Sequence, residues 1–161
     1  MNNELSSDFI EAIVSYARSI GRIMRGSYQI QEIPILEDKL AAELVELSNT
    51  EAPITELVDV LYYSVCIDRQ RGMISELPTY EKIDLFLSAI IPHYEYSIEE
   101  IEAAALAKYK YRANGGMKDY DHELKLMCEA IVRIRKGNKN FMHELKLMCS
   151  DIVRLREGVR S

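Results

Sequence analysis

The stretch KLAAELVEL at 39–47, the turn SNTEAPIT at 48–55 and ELVDVLYY at 56–63 decide how this chain folds. Leu40, Leu44 and Leu47 recur every three or four residues, the period of one helix face, and predict a helix over 37–47. Pro53 lacks an N–H, which costs nothing at the first position of a helix, where that N–H has no intrahelical acceptor. The next helix is therefore expected over 54–71, with Leu57, Val58, Leu61 and Val65 toward the core. Glu43 and Glu46 on the first of these helices, and Glu56 and Asp59 on the second, are spaced three apart, so each pair shares a face. Folding the two helices antiparallel across the short turn brings the four carboxylates together. Like charges at that distance are unfavourable without a cation among them, and a set of hard oxygen donors suits Mg²⁺ or Mn²⁺. Either pair alone is what any solvated acidic helix displays; two on consecutive Leu/Val-packed helices form the stronger signal.

Outward from this pair the pattern stays helical. Ser6 or Ser7 can cap a helix over 8–24, with Phe9, Ile10, Ile13, Val14, Ala17, Ile20 and Ile23 at helical spacing. Arg18, Arg22 and Arg25 lie on another face, either as a solvated row or as a second phosphate clamp. Gly26 and Ser27 end this element, and 28–36, with mixed periodicity around Pro34, is expected to be a connection. The helix over 54–71 should stop near Gly72, and 80–91 is helix-like between Pro78 and Pro92. Ser97 followed by Glu100 forms a capping box that opens a helix through Tyr111, ended by Asn114, Gly115 and Gly116.

The C-terminal part is duplicated. HELKLMCEAIVRIRKG at 122–137 and HELKLMCSDIVRLREG at 143–158 agree at 12 of 16 positions. The first copy carries an apolar stripe of Leu124, Met127, Cys128, Ile131 and Ile134, and Gly137-Asn138-Lys139-Asn140 interrupts the run, so a hairpin of two short helices is expected. His122 and His143 occupy matching first-turn positions, and Cys128 and Cys149 are expected to be small core residues.

A chain of 161 residues with 48% hydrophobic content is long and apolar enough for one ordinary domain with a core. The net charge of −6 is uneven: residues 1–120 hold 20 acidic and 11 basic side chains, and residues 121–161 hold 6 and 9. So negative a body is a poor nucleic-acid binder, because backbone recognition needs concentrated positive charge. Three cysteines, none in a CxxC, argue against a disulfide framework or zinc site. The acidic N-terminus and the lack of a long apolar window point to a cytoplasmic chain without a membrane span. Neither a Gly-rich phosphate loop nor a nucleophilic triad appears.

KLAAELVEL and ELVDVLYY resemble the ExxE and ExxD motifs of the MazG-like all-α nucleoside triphosphate pyrophosphohydrolases, a resemblance that covers about residues 5–116. It implies an all-α fold with a four-helix MazG-like core at 1–118, followed by the duplicated C-terminal helical hairpin at 119–161. It also implies hydrolysis of a nucleotide substrate between the α- and β-phosphates, giving a nucleoside monophosphate and pyrophosphate. Carried over residue by residue, Glu43, Glu46, Glu56 and Asp59 become catalytic Mg²⁺ ligands, and Lys108, Arg112 and Asn114, in KYKYRANGG, become phosphate contacts. A homodimer or dimer of dimers is implied as well. This chain has Ala42 where many members have a further glutamate, and only nine residues separate Glu46 from Glu56. A non-catalytic helical interaction protein with a degenerate fold is the alternative. On the enzyme reading, replacing Glu46 or Asp59 with Ala is expected to abolish hydrolysis and leave folding nearly intact.

Overall fold

The computed structural model describes residues 4–20, 29–74, 80–137 and 141–158, and these are all-helical. The order is α1 (Ser7–Ser19), α2 (Gln29–Asn49), α3 (Pro53–Ile74), α4 (Glu81–Leu85), α5 (Ile98–Ala113), α6 (Tyr120–Arg135) and α7 (Phe141–Gly158). A π-helical turn, Phe86–Ile90, and a 3₁₀ turn, Ile91–His93, continue α4. None of the described helices is long and apolar enough to cross a membrane.

Local chemistry accounts for most boundaries. Ser6 caps α1, its hydroxyl accepting from Phe9 N–H at 3.0 Å. Pro53 stands first in α3. The Ser97/Glu100 capping box at α5 is complete, each side chain satisfying the other residue's backbone N–H. At the far end of α5, Gly115 takes φ +86°, its N–H bonding Arg112 O while Gly116 N–H reaches Tyr111 O. These two bonds form a Schellman closure, which needs a left-handed residue where glycine sits. The N-terminus of α4 has no side-chain cap of its own; Asp68, buried on α3, accepts from Lys82 and Ile83 N–H at 3.0 and 2.8 Å instead.

α3 is the central helix. Leu57, Val58, Leu61 and Val65 are buried as expected, and so are Val60, Cys66 and Ile67 on its other faces. α2 lies along α3, burying Leu36, Leu40 and Leu47. The expected connection at 28–36 is helical from Gln29 onward, with Pro34 inside α2. Pro34 is exposed and forfeits one backbone bond near the helix start, while packing of the Leu36–Leu47 stripe on α3 holds the rest. Two apolar assignments change: Leu44 is an exposed flank residue, and Ile20 is exposed just past the end of α1. α3 runs through Gly72 to Ile74. The part of the first predicted helix beyond residue 20, with Ile23, Arg22 and Arg25, lies outside the described residues.

The tail is not a self-packed hairpin. α6 lies along α5, whereas α7 packs against α1 and α5, and the described residues of α6 and α7 touch each other little. Met127, Ala130, Ile131, Cys149 and Ile152 belong to the same hydrophobic core as α1, α3 and α5. Arg112 and Glu123 fasten α6 to α5 through two parallel bonds of 2.6 and 2.9 Å, and Arg135 pairs with the buried Glu100 at the other end. The near-identical copies bury different faces: Cys128 is exposed, contrary to expectation, while its counterpart Cys149 is buried.

Candidate metal centre

α2 and α3 position the acidic residues through the stripe that packs them. Leu36, Leu40 and Leu47 face α3, and Glu43 falls between Leu40 and Leu47 at the same helical period. Glu43 is therefore held partly inside the interface. One carboxylate oxygen from each of Glu43, Glu46 and Glu56 lies within 4.8 Å of the other two. Glu46 is on the open side; Glu43 and Glu56 are half-buried.

The electrostatics match this placement. Burial pushes Glu43 up to about 8, with a hydrogen bond to Glu56 and the charges of Asp59, Glu46 and Glu56 adding to the effect. Glu56 is raised as well, burial again being the main cause. Glu43 Oε2 and Glu56 Oε2 are sheltered from solvent and receive no N–H or O–H from the described residues. Contact between these two carboxyl groups is a hydrogen bond only while one of them holds a proton. A proton or a cation can satisfy such oxygens, and three carboxylates opening on solvent through Glu46 fit a hard divalent ion.

Asp59 stands beside the cluster, close enough for its charge to raise Glu43 and Glu56, but it has its own partner. Lys108 Nζ, on the buried side of α5, lies 2.6 Å from Asp59 Oδ1, and Tyr109 OH is 3.5 Å from the same oxygen. The residues expected as metal ligand and phosphate contact thus form an ion pair with each other. The other two expected phosphate contacts are elsewhere. Arg112 is engaged by Glu123; Asn114 is the exposed C-cap of α5 and lines a groove toward the tail helices.

Tyr62 is buried in a ring cluster with Tyr16 and Tyr109 at centroid distances of 6.2 and 5.0 Å. Tyr63 packs edge-on to Tyr62 and is partly exposed. His93, His122 and His143 are exposed.

Sequence reasoning missed several buried acids. Asp68 caps α4, and Glu123 clamps α6. Glu102 is buried on α5 opposite the Ser6 cap of α1, and burial pushes it up to about 7 despite hydrogen bonds from Ser6. Its only trace in the sequence is an acid directly beside the apolar run AAALA at 103–107. Comparison of the chain with protein-family models, curated proteins and solved structures finds no match.

Proposed function

We propose that this protein hydrolyses a nucleoside triphosphate between the α- and β-phosphates, releasing a nucleoside monophosphate and pyrophosphate, with Mg²⁺ or Mn²⁺ held by Glu43, Glu46 and Glu56. The observation that carries this reading is the convergence of those three carboxylates within 4.8 Å, two of them with sheltered oxygens that no donor among the described residues satisfies. Their motif spacing, and the likeness of that spacing to the MazG-like pattern, supply the reaction class. The cation, when bound, would offset the negative charge of the triphosphate and polarise its phosphorus–oxygen bonds. Glu46, the exposed member, is suited to orient an attacking water or accept its proton. Glu43 and Glu56 would hold the ion from the protein side. Asp59 would act one step back, its charge supporting the cluster while Lys108 fixes its position. A homodimer or dimer of dimers belongs to the same proposal, and the exposed apolar side chains Ile35, Leu44 and Val45 on α2 support it.

A specific observation favours the non-catalytic alternative: Asp59 and Lys108 are paired with each other, and Arg112 is committed to Glu123, which leaves two of the expected basic contacts engaged within the protein. Pyrophosphate release from a panel of nucleoside triphosphates, with and without Mg²⁺, separates the two. Glu46→Gln is the control, because Glu46 is exposed and its loss does not disturb packing. Metal-dependent release that disappears in Glu46→Gln supports the hydrolase. A folded wild-type chain that releases none from any member of the panel supports the degenerate fold.

A further inference from the structure

A groove of about 710 Å³ opens between α5 and the two tail helices, within the size range of small-molecule sites. It uses a different face of α5 from the one that carries Lys108 to Asp59. Ala103 and Ala107, one turn apart, line it together with Lys110, whereas Lys108 sits well round the helix. Ala130 of α6 completes a floor of small side chains, and Leu126, Leu147 and Met148 form apolar walls. Leu147 is 51% exposed, a large apolar side chain that the fold leaves facing this space.

The charges at the rim are not equivalent. Lys110 pairs with Asp151 at 3.1 Å, and Asp151 also holds Arg154 at 2.8 Å, so that carboxylate is shared by two cations. Arg133 lines the groove, is exposed, and enters no ion pair among the described residues. The duplication explains why. Arg154 finds Asp151 three residues earlier; in the first copy the corresponding residues are Arg133 and Ala130. The same exchange that deprives Arg133 of a carboxylate also widens the apolar floor. Glu129, four residues before Arg133, is exposed at the rim and in no ion pair among the described residues; the lining thus holds two cations (Lys110, Arg133) and two carboxylates (Glu129, Asp151), and Asp151 is already shared by Lys110 and, from outside the groove, Arg154.

We propose that this groove binds an amphiphilic acid, its apolar body lying on the alanine floor between Leu126, Leu147 and Met148 and its carboxylate on the Arg133 guanidinium. An aliphatic chain gains by leaving water for these walls, and the planar guanidinium receives a carboxylate through two parallel bonds. The site is independent of the carboxylate cluster, and the hydrolase reading can fail without touching it.

Calorimetric titration of the full chain with dodecanoate, below its micelle concentration, tests the site. One saturable site is expected, weakened at least about tenfold in Arg133→Gln, a surface change that leaves the fold alone. Dodecyltrimethylammonium, which keeps the chain and reverses the charge, is expected to bind more weakly than dodecanoate. Ala107→Leu, which fills the floor, is expected to remove binding of both. Absence of saturable dodecanoate binding, unchanged affinity in Arg133→Gln, or equal or tighter binding of the cation (the result if Glu129 were the recognising charge) would each overturn the proposal.

Discussion

Lys108 Nζ sits 2.6 Å from Asp59 Oδ1, joining α5 to α3 at the edge of the acidic cluster, with the lysine side chain 8% exposed and the aspartate 24%. Removing the acid leaves an ammonium in a site that has lost its counter-ion, and that penalty exceeds the value of the pair itself. Asp59→Ala is therefore expected to destabilise the protein by roughly 3 kcal/mol, and Lys108→Met, which removes the buried charge, by less. Urea unfolding of both variants checks the order. The ion pair argues against the expectation that Asp59→Ala leaves folding nearly intact, whereas Glu46 is exposed and remains the variant expected to do so.

On the proposed metal reading, divalent cations and protons would compete for the same oxygens of Glu43. With Glu43 raised to about 8, the cluster is partly protonated near neutrality and would release that proton when a cation binds. Mg²⁺ is expected to raise the melting temperature more at pH 8.5 than at pH 6.5, and Glu46→Gln to reduce the gain at both. Thermal melts across a Mg²⁺ series at the two pH values would show it; a gain independent of pH would place the ion elsewhere.

Glu102 makes the protein less stable as the solution becomes more alkaline. Its folded value of about 7 lies above the unfolded 4.5, so folding favours the neutral acid. No penalty exists below 4.5, where both states are protonated; it grows between 4.5 and 7 and is complete above. Glu102→Gln is expected to gain up to about 3 kcal/mol at pH 8 relative to the wild type and to lose that advantage at pH 4.5. Denaturant midpoints at the two pH values give the comparison.

The two HELKLMC copies should differ sharply as thiols. Cys128 is exposed, whereas burial pushes Cys149 up to about 12, with the charges of Asp8 and Glu102 adding to the rise. Cys66 is also buried. A disulfide reagent at pH 8 is expected to label Cys128 at least tenfold faster than Cys149, because the thiolate is the reactive form and access is also needed. Peptide mapping after brief labelling identifies the site, and equal rates would contradict the packing of α7.

What the sequence determined was whatever depends on near neighbours along the chain. Ser6, Pro53, the Ser97/Glu100 box and the Gly115 closure act within one turn, so those ends of α1, α3 and α5 were legible before any tertiary contact was known. The grouping of Glu43, Glu46 and Glu56 was legible for a related reason: a short turn between two periodic helices leaves them little choice but to lie side by side. Tertiary structure decided the rest. Leu44 and Cys128 have the hydrophobic period of core residues, yet which edge of an apolar stripe is covered depends on the neighbouring helix. Pro34 lies within α2 because packing on α3 outweighs one missing backbone bond. The partner of each charge is likewise a matter of distance across helices. Asp59 chose Lys108, 49 residues away, and Arg112 chose Glu123, while two tail segments alike at 12 of 16 positions turned different faces inward because α6 meets α5 and α7 meets α1 as well. A repeated sequence repeats its helix; it cannot repeat its surroundings.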